Sequence, residues 1–245
     1  MKKFIAYFDF LGFKDFILNN DIEYQRRIMG EIYLNIEDAV GKGKYIDYGF
    51  KFTPDRRKTN INCLNFSDTV VFWSNDDSIK ALEEIIKVVD RFNYKSIVFS
   101  FPVRGALLYG EIEHKGFNDK NKKGSIYNIN SVYGKGVVDA YIKAETQNWA
   151  GTVIDESIIQ FLSENNYDVE KFLEHYTKRY NAPYKYCKEE YVLRLAEGQL
   201  PEEAFINLSD LIRKNFSAHK KDITNSRVQE KLHNTLKYLE SFKKQ

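Results

Sequence analysis

The chain has 245 residues, 43% hydrophobic and 15% aromatic, enough for one large domain or a domain with an appendage around a substantial core. Its 37 basic and 35 acidic residues leave a net charge of +2, which excludes the broad basic surface that nucleic acid requires, so any phosphate recognition is local. Cys63 and Cys187 have no metal or redox spacing, no apolar run approaches the ~20 residues of a membrane helix, and the start of the chain carries no signal-peptide pattern. The expectation is a cytoplasmic protein with no membrane segment and no nucleic-acid partner.

Residues 3–10 (KFIAYFDF) are aromatic and branched and read as a strand ending at an aspartate, followed by a short helix to about residue 18. Ile28, Ile32, Ile36 and Val40 repeat at the helical period across 21–40, and Gly41 and Gly43 stop that helix. Residues 51–59 read as a loop or hairpin tip. Strands follow at 60–66 and 69–73, hinged at Ser67-Asp68, and then a helix at 77–92 with Leu82, Ile85, Ile86 and Val89 on one face. Residues 96–109 read as a strand with an entry or edge at Pro102, and 116–124 as a mobile lysine-rich loop. A helix at 135–147, a strand at 149–154 and a hairpin at 182–195 complete a core of residues 1–196. Residues 197–245 read as a helical C-terminal extension. The order of elements predicts an α+β fold, a central antiparallel sheet with helices packed on one face.

Four segments carry chemistry. Asp9, at the end of the first strand, is followed by Leu11-Gly12-Phe13, where a glycine turn and a helix start can approach a phosphate; capping that helix explains Asp9 equally well. Asp68 sits in a tight turn, a place where Asp and Ser are common for turn chemistry alone. If their strands are neighbours, however, the two carboxylates share one rim and repel each other unless divalent cations lie between them. Arg104, within an apolar strand, needs an anion: a polyphosphate, or an ion pair with Glu111 or Asp9. Gly134-Lys135-Gly136 opens a helix that runs on to Tyr141 and Glu145, and suits either a phosphate or close helix packing. The histidines, His114, His175, His219 and His233, lie in polar contexts and are expected to face solvent.

Taken in order, FDFLGF, SDTVVFW, VRGALLYGE and VYGKGVVDAY resemble the motifs of class III nucleotidyl cyclases. With Gly134 to Tyr141 and the later Pro183-Tyr184-Lys185, the chain is most similar to the stand-alone pyrimidine cyclases of the bacterial anti-phage system called Pycsar. The resemblance spans residues 4–195. It implies a class III adenylyl/guanylyl cyclase-like core working as a homodimer. Asp9, Asp68 and the carbonyl of Phe10 would hold two divalent cations, Mn²⁺ or Mg²⁺, and the amides around Gly12 and Phe13 would hold the β- and γ-phosphates. Arg104 would bind the triphosphate from the same subunit and Lys185 from the other. Leu64 and Ser131 fall where purine cyclases choose the base, and an apolar Leu64 argues against a purine. The implied reaction converts UTP, with CTP second, to a 3′,5′-cyclic nucleotide and pyrophosphate, the product being read by a separate effector.

The chain departs from the purine-cyclase pattern at three positions. Val138 and Ile142 replace the transition-state Asn and Arg, and Ser67 replaces the glycine before the second metal aspartate. These departures leave open a catalytically degenerate, nucleotide-binding or regulatory form of the same fold. A phosphatase of the haloacid-dehalogenase type would need a carboxylate where Leu11 stands, and the paired acidic turn of a GGDEF-type polymerase is absent.

Overall fold

A computed structural model describes residues 1–184 and 188–244. Lys185 and Cys187, both singled out above, lie outside the described residues. In chain order the elements are β1 (Lys2–Phe10), α1 (Phe13–Asn19), α2 (Ile22–Val40), β2 (Tyr45–Asp47), β3 (Phe52–Pro54), β4 (Ile61–Phe66), β5 (Thr69–Ser74), α3 (Ile79–Phe99), β6 (Val103–Glu111), β7 (Glu113–Lys120), β8 (Ile126–Tyr133), α4 (Lys135–Glu145), β9 (Gly151–Ile154), α5 (Glu156–Glu164), α6 (Val169–Leu173), β10 (Thr177–Ala182), β11 (Lys188–Leu193), α7 (Glu202–Ser217) and α8 (Ser226–Glu240).

Seven strands form one sheet in the order β10-β11-β9-β6-β1-β5-β4, antiparallel except for the β6–β9 pair. β1 lies inside the sheet with both faces covered, which is why its sequence is apolar almost throughout. Phe4, Ala6, Phe8 and Phe10 enter the main core, while Ile5 and Tyr7 enter a smaller cluster on the opposite face. The main core is closed by the apolar stripes of α2 and α3, whose first turns are capped by Asp21 and Ser78. Fully buried aromatics such as Phe8, Phe72 and Phe92 each contribute about 2–3 kcal/mol there. Tyr238 of α8 is also part of this core: its ring lies 5.0 Å from that of Trp149, and its hydroxyl donates to the Leu193 carbonyl at 3.0 Å.

The second face carries α4, so the helices are not confined to one face as the sequence suggests. A methyl group added at Gly136 would come 2.8 Å from the carbonyl carbon of Gly110. The glycines that open α4 therefore serve close packing on β6. Three other expectations are corrected. Ser96–Phe99 belong to α3, because Ser96, Ile97 and Val98 are buried on that helix and the β-branched propensity yields to tertiary packing. The strand begins at Val103, just after Pro102. Of the lysine-rich 116–124 segment, residues 116–120 belong to β7, which pairs with β8 in a ribbon exposed along nearly all of its length and so without an alternating apolar pattern, and 121–124 lie in its turn. β10 and β11 form the expected hairpin, which starts earlier, at Thr177. No helix among the described residues is long and apolar enough to cross a membrane.

Candidate active site

β1 pairs with β5 on one side and β6 on the other, so Asp9 stands opposite Thr69 and opposite Arg104. Asp68 precedes Thr69 in the two-residue turn that joins β4 to β5, where Ser67 takes a left-handed conformation at φ 55°. The amide of Phe10 donates to the carbonyl of Asp68 at 2.9 Å, which pins that turn to the end of β1. Asp9, Phe10, Asp68 and Arg104 therefore meet at one rim.

Arg104 is fully engaged. Its Nε donates to Oδ2 of Asp9 at 2.8 Å, Nη1 donates to the Glu145 carbonyl at 2.8 Å, and Nη2 donates to the Glu145 carboxylate. Of the ion pairs open to it in the sequence, the one with Asp9 forms, and Glu145 takes the place of Glu111. Even so, Asp9 is held at a pKa of about 6. Burial is the main cause; the Arg104 guanidinium opposes it, while the charges of Glu145 and Asp68 add to it. The side chain of Asp9 is only 13% exposed. The rim holds more negative charge than one guanidinium balances.

Tyr7, two residues before Asp9, shares its face. Its hydroxyl lies 3.1 Å from Oγ1 of Thr69, and its ring meets that of Tyr141 edge-on at 5.7 Å. Burial raises the Tyr7 pKa, the bond to Thr69 lowers it, and Asp9, Glu145 and Asp68 raise it further. From α8, Lys231 lies close enough to sense the same centre: burial lowers its pKa most, followed by the charge of Arg104. Tyr7, Thr69, Glu145 and Lys231 received no role from sequence reasoning. The period of two in β1 marks Tyr7, and the i, i+4 spacing of Tyr141 and Glu145 marks a shared helix face, but nothing local marks Lys231.

Gly12 has a left-handed φ of 80° and leads directly into α1, whose first residue, Phe13, is buried beside Phe10 and Phe101. Leu64 is half-buried with Val71, Trp73 and Val132 on the α4 face. Ser131 is exposed on the ribbon, and its neighbour Val132 joins that cluster instead, so this chain does not bring Ser131 to Leu64. Before Lys185, the Tyr184 hydroxyl donates to Glu190, which shares the Lys143 ammonium with Asp155, each at 2.6 Å. His219 departs from expectation: it is half-buried and stacked on Phe101 at 5.4 Å, and burial drives its pKa down to about 4.

No protein-family model matches the chain, and no curated protein matches its sequence. Solved structures do. The guanylate cyclase domain of RhGC from Catenaria anguillulae, in complex with GTP, matches 80% of this chain and 97% of its own, with a TM-score of 0.53 and 10% identity. The catalytic core of a rhodopsin-guanylyl cyclase with converted specificity, in complex with ATPαS, covers 78% of this chain and 94% of its own at TM-score 0.52 and 11% identity. The dimeric guanylyl cyclase domain of the RhoGC fusion protein from the aquatic fungus Blastocladiella emersonii covers 78% and 93% at TM-score 0.51 and 12% identity. The chain has a class III cyclase-like fold.

Within the class III cyclase-like fold, the rim at Asp9 suits divalent cations. It offers hard oxygen donors, and Asp9, Asp68 and Glu145 bring three carboxylates to the one guanidinium of Arg104. Among the described residues no three His, Cys, Asp or Glu side chains cluster tightly enough to hold a metal alone. Ions at Asp9 and Asp68 would complete their shells with the Phe10 carbonyl, water and substrate oxygens.

Proposed function

We propose that the chain is a pyrimidine nucleotide cyclase that converts UTP, with CTP second, to the 3′,5′-cyclic nucleotide and pyrophosphate. The observation that carries this reading is the meeting of Asp9, on β1 opposite Arg104, and Asp68, in the turn that leads into the adjoining β5, at one rim of a cyclase-like sheet. Asp9, Asp68 and the Phe10 carbonyl would hold two Mn²⁺ or Mg²⁺ ions, which when bound lower the pKa of the ribose 3′-hydroxyl and offset charge on the triphosphate. Arg104, released from Asp9, stabilises the charge that develops on the phosphates and stays tethered to the Glu145 backbone. The amides around Gly12 and Phe13 bind the β- and γ-phosphates. The 3′-oxygen bonds to the α-phosphorus, the bond to the β-phosphate breaks, pyrophosphate leaves and the hydroxyl proton passes to solvent. Leu64 offers the base no hydrogen bond, which favours the smaller pyrimidine ring over a purine.

A homodimer with composite sites completes the reading. Val138, Tyr141 and Ile142 are 54%, 47% and 51% exposed on the outer face of α4, an apolar surface beside the rim that a second copy would cover. Lys185 would reach the triphosphate from that copy, and Ser131 on the exposed ribbon would read its base. The resemblance to the Pycsar cyclases supports a cytoplasmic role in anti-phage defence, with the product read by a separate effector.

Val138 and Ile142, together with the Arg104–Asp9 pair, favour one second reading, a regulatory nucleotide binder that does not turn over. Pyrophosphate release from UTP with Mn²⁺ separates the two. The cyclase reading expects turnover in the wild type and at least about 10³-fold less in Asp68→Asn, with unchanged circular dichroism. UTP binding without release in the wild type supports the binder.

A further inference from the structure

A cavity of about 500 Å³ lies between α3 and the segment that leads into α7, on the opposite face of the sheet from Asp9. Its walls include the rings of Tyr94, Phe99 and Tyr176 and the side chains of Leu195, Leu200 and Leu208. Asp90 of α3 lines it, half-buried, with Glu197 at the exposed rim. Among the described residues Asp90 has no hydrogen-bond or ion-pair partner, and burial, reinforced by the charge of Glu197 and opposed by that of Arg91, pushes its carboxyl up to about 7. The charges of both acids reach the tyrosine hydroxyls. After burial, Glu197 raises the Tyr94 phenol, and Asp90 raises that of Tyr176.

The cations of the cavity are already engaged. Arg91 and Lys95 both bind the buried carboxylate of Asp38, at 2.6 and 2.8 Å. Arg194 donates through Nε to the Thr177 carbonyl at 2.8 Å and also lines a shallower hollow with Glu174 and Glu197. The Asp90 carboxyl, by contrast, has neither a hydrogen-bond nor an ion-pair partner among the described residues. A concave, ring-walled site with a few converging polar groups is the form a small-molecule site takes, and an unpartnered carboxyl inside one calls for a ligand that answers it. We propose that this cavity binds a small organic cation, an ammonium or amidinium on a compact apolar body, held between Asp90 and Glu197 with the tyrosine rings against it. The rings add cation–π attraction, and the positive charge relieves the repulsion between the two acids. One wall comes from the C-terminal segment and the other from α3, so the ligand ties the two together. The site is independent of the cyclase reading.

The test uses benzamidine as the probe, its uncharged isostere benzamide and the anion benzoate, each titrated to millimolar concentration against the full chain, with thermal shift and equilibrium dialysis as readouts. Benzamidine is expected to bind saturably and raise the melting temperature, while benzamide and benzoate do neither. Asp90→Asn and Glu197→Gln should each weaken benzamidine by at least about tenfold, the loss of one charge-assisted contact. Unliganded Asp90→Asn should melt no lower than the wild type, because a carboxyl without a partner becomes a neutral amide. If that variant does not fold, Glu197→Gln decides, since its side chain is exposed at the rim. The proposal is overturned by absence of saturable binding, by equal binding of benzamide, by preferential binding of benzoate, or by folded variants that hold benzamidine as well as the wild type.

Discussion

Nε of Arg104 donates to Oδ2 of Asp9 at 2.8 Å, across a directly opposed pair of β1 and β6. The residue proposed to bind triphosphate thus holds the residue proposed to bind metal. Arg104→Ala removes the phosphate contact and leaves Asp9 among acids alone. It should reduce kcat/KM for UTP by about 10²–10³-fold, the range for losing one transition-state donor. Arg104→Lys keeps the charge without the fork and should recover only part of this. Steady-state kinetics at saturating Mn²⁺ checks both, and unchanged kcat/KM in Arg104→Ala would remove Arg104 from the site.

Gly12 meets a second constraint besides its φ of 80°: a methyl group there would come 2.8 Å from Cδ of Lys221. Gly12→Ala should cost about 1–2 kcal/mol of stability through backbone strain and that contact. Gly30, inside α2 with open space around it, is the control; Gly30→Ala should stabilise by about 0.5–1 kcal/mol. Urea unfolding of both variants checks the contrast.

Much of the fold was legible because periodicity reports burial. Ile28, Ile32 and Ile36 announce the buried face of α2, and KFIAYFDF announces a strand covered on both faces. Ser96–Phe99 misled because Ile97 and Val98 are β-branched and Phe99 is aromatic, types that suit a strand, and only tertiary packing makes them helical. The β7–β8 ribbon misled for the opposite reason: with both faces exposed, it carries no apolar alternation. At the site, Asp9, Asp68 and Arg104 were visible as charges where apolar strands end or pass. Glu145 and Lys231 were not, since only the docking of α4 and α8 brings them near Arg104.

Lys221 is 8% exposed; its ammonium donates to the Asn215 carbonyl at 2.6 Å and lies 4.2 Å from the Phe101 ring. No carboxylate pairs with it among the described residues, and burial lowers its pKa to about 7. The unfolded chain keeps that proton up to about 10.4, so between these values unfolding takes up a proton and stability rises with pH, by at most ~1.4 kcal/mol per unit. The unfolding free energy should therefore climb from neutral pH toward about pH 9. Lys221→Met should flatten the climb and stabilise most at the neutral end. A parallel climb in the variant would show that Lys221 is not its source.

The shared-site reading predicts complementation. Asp68→Asn and Lys185→Ala protomers, each inactive alone, should together regain up to one working site per heterodimer. Mixing them and following pyrophosphate release checks this, with subunit exchange confirmed by differently tagged chains. No rescue after proven exchange would place all of the machinery within one chain.

The most direct measurement is incubation of the purified chain with UTP, CTP, ATP and GTP at equal concentration with Mn²⁺, the products being separated and identified by mass. The account predicts a 3′,5′-cyclic nucleotide formed fastest from UTP, then from CTP, and lost in Asp9→Asn. No cyclic product from any of the four, from protein that binds Mn²⁺ and is folded, would contradict it.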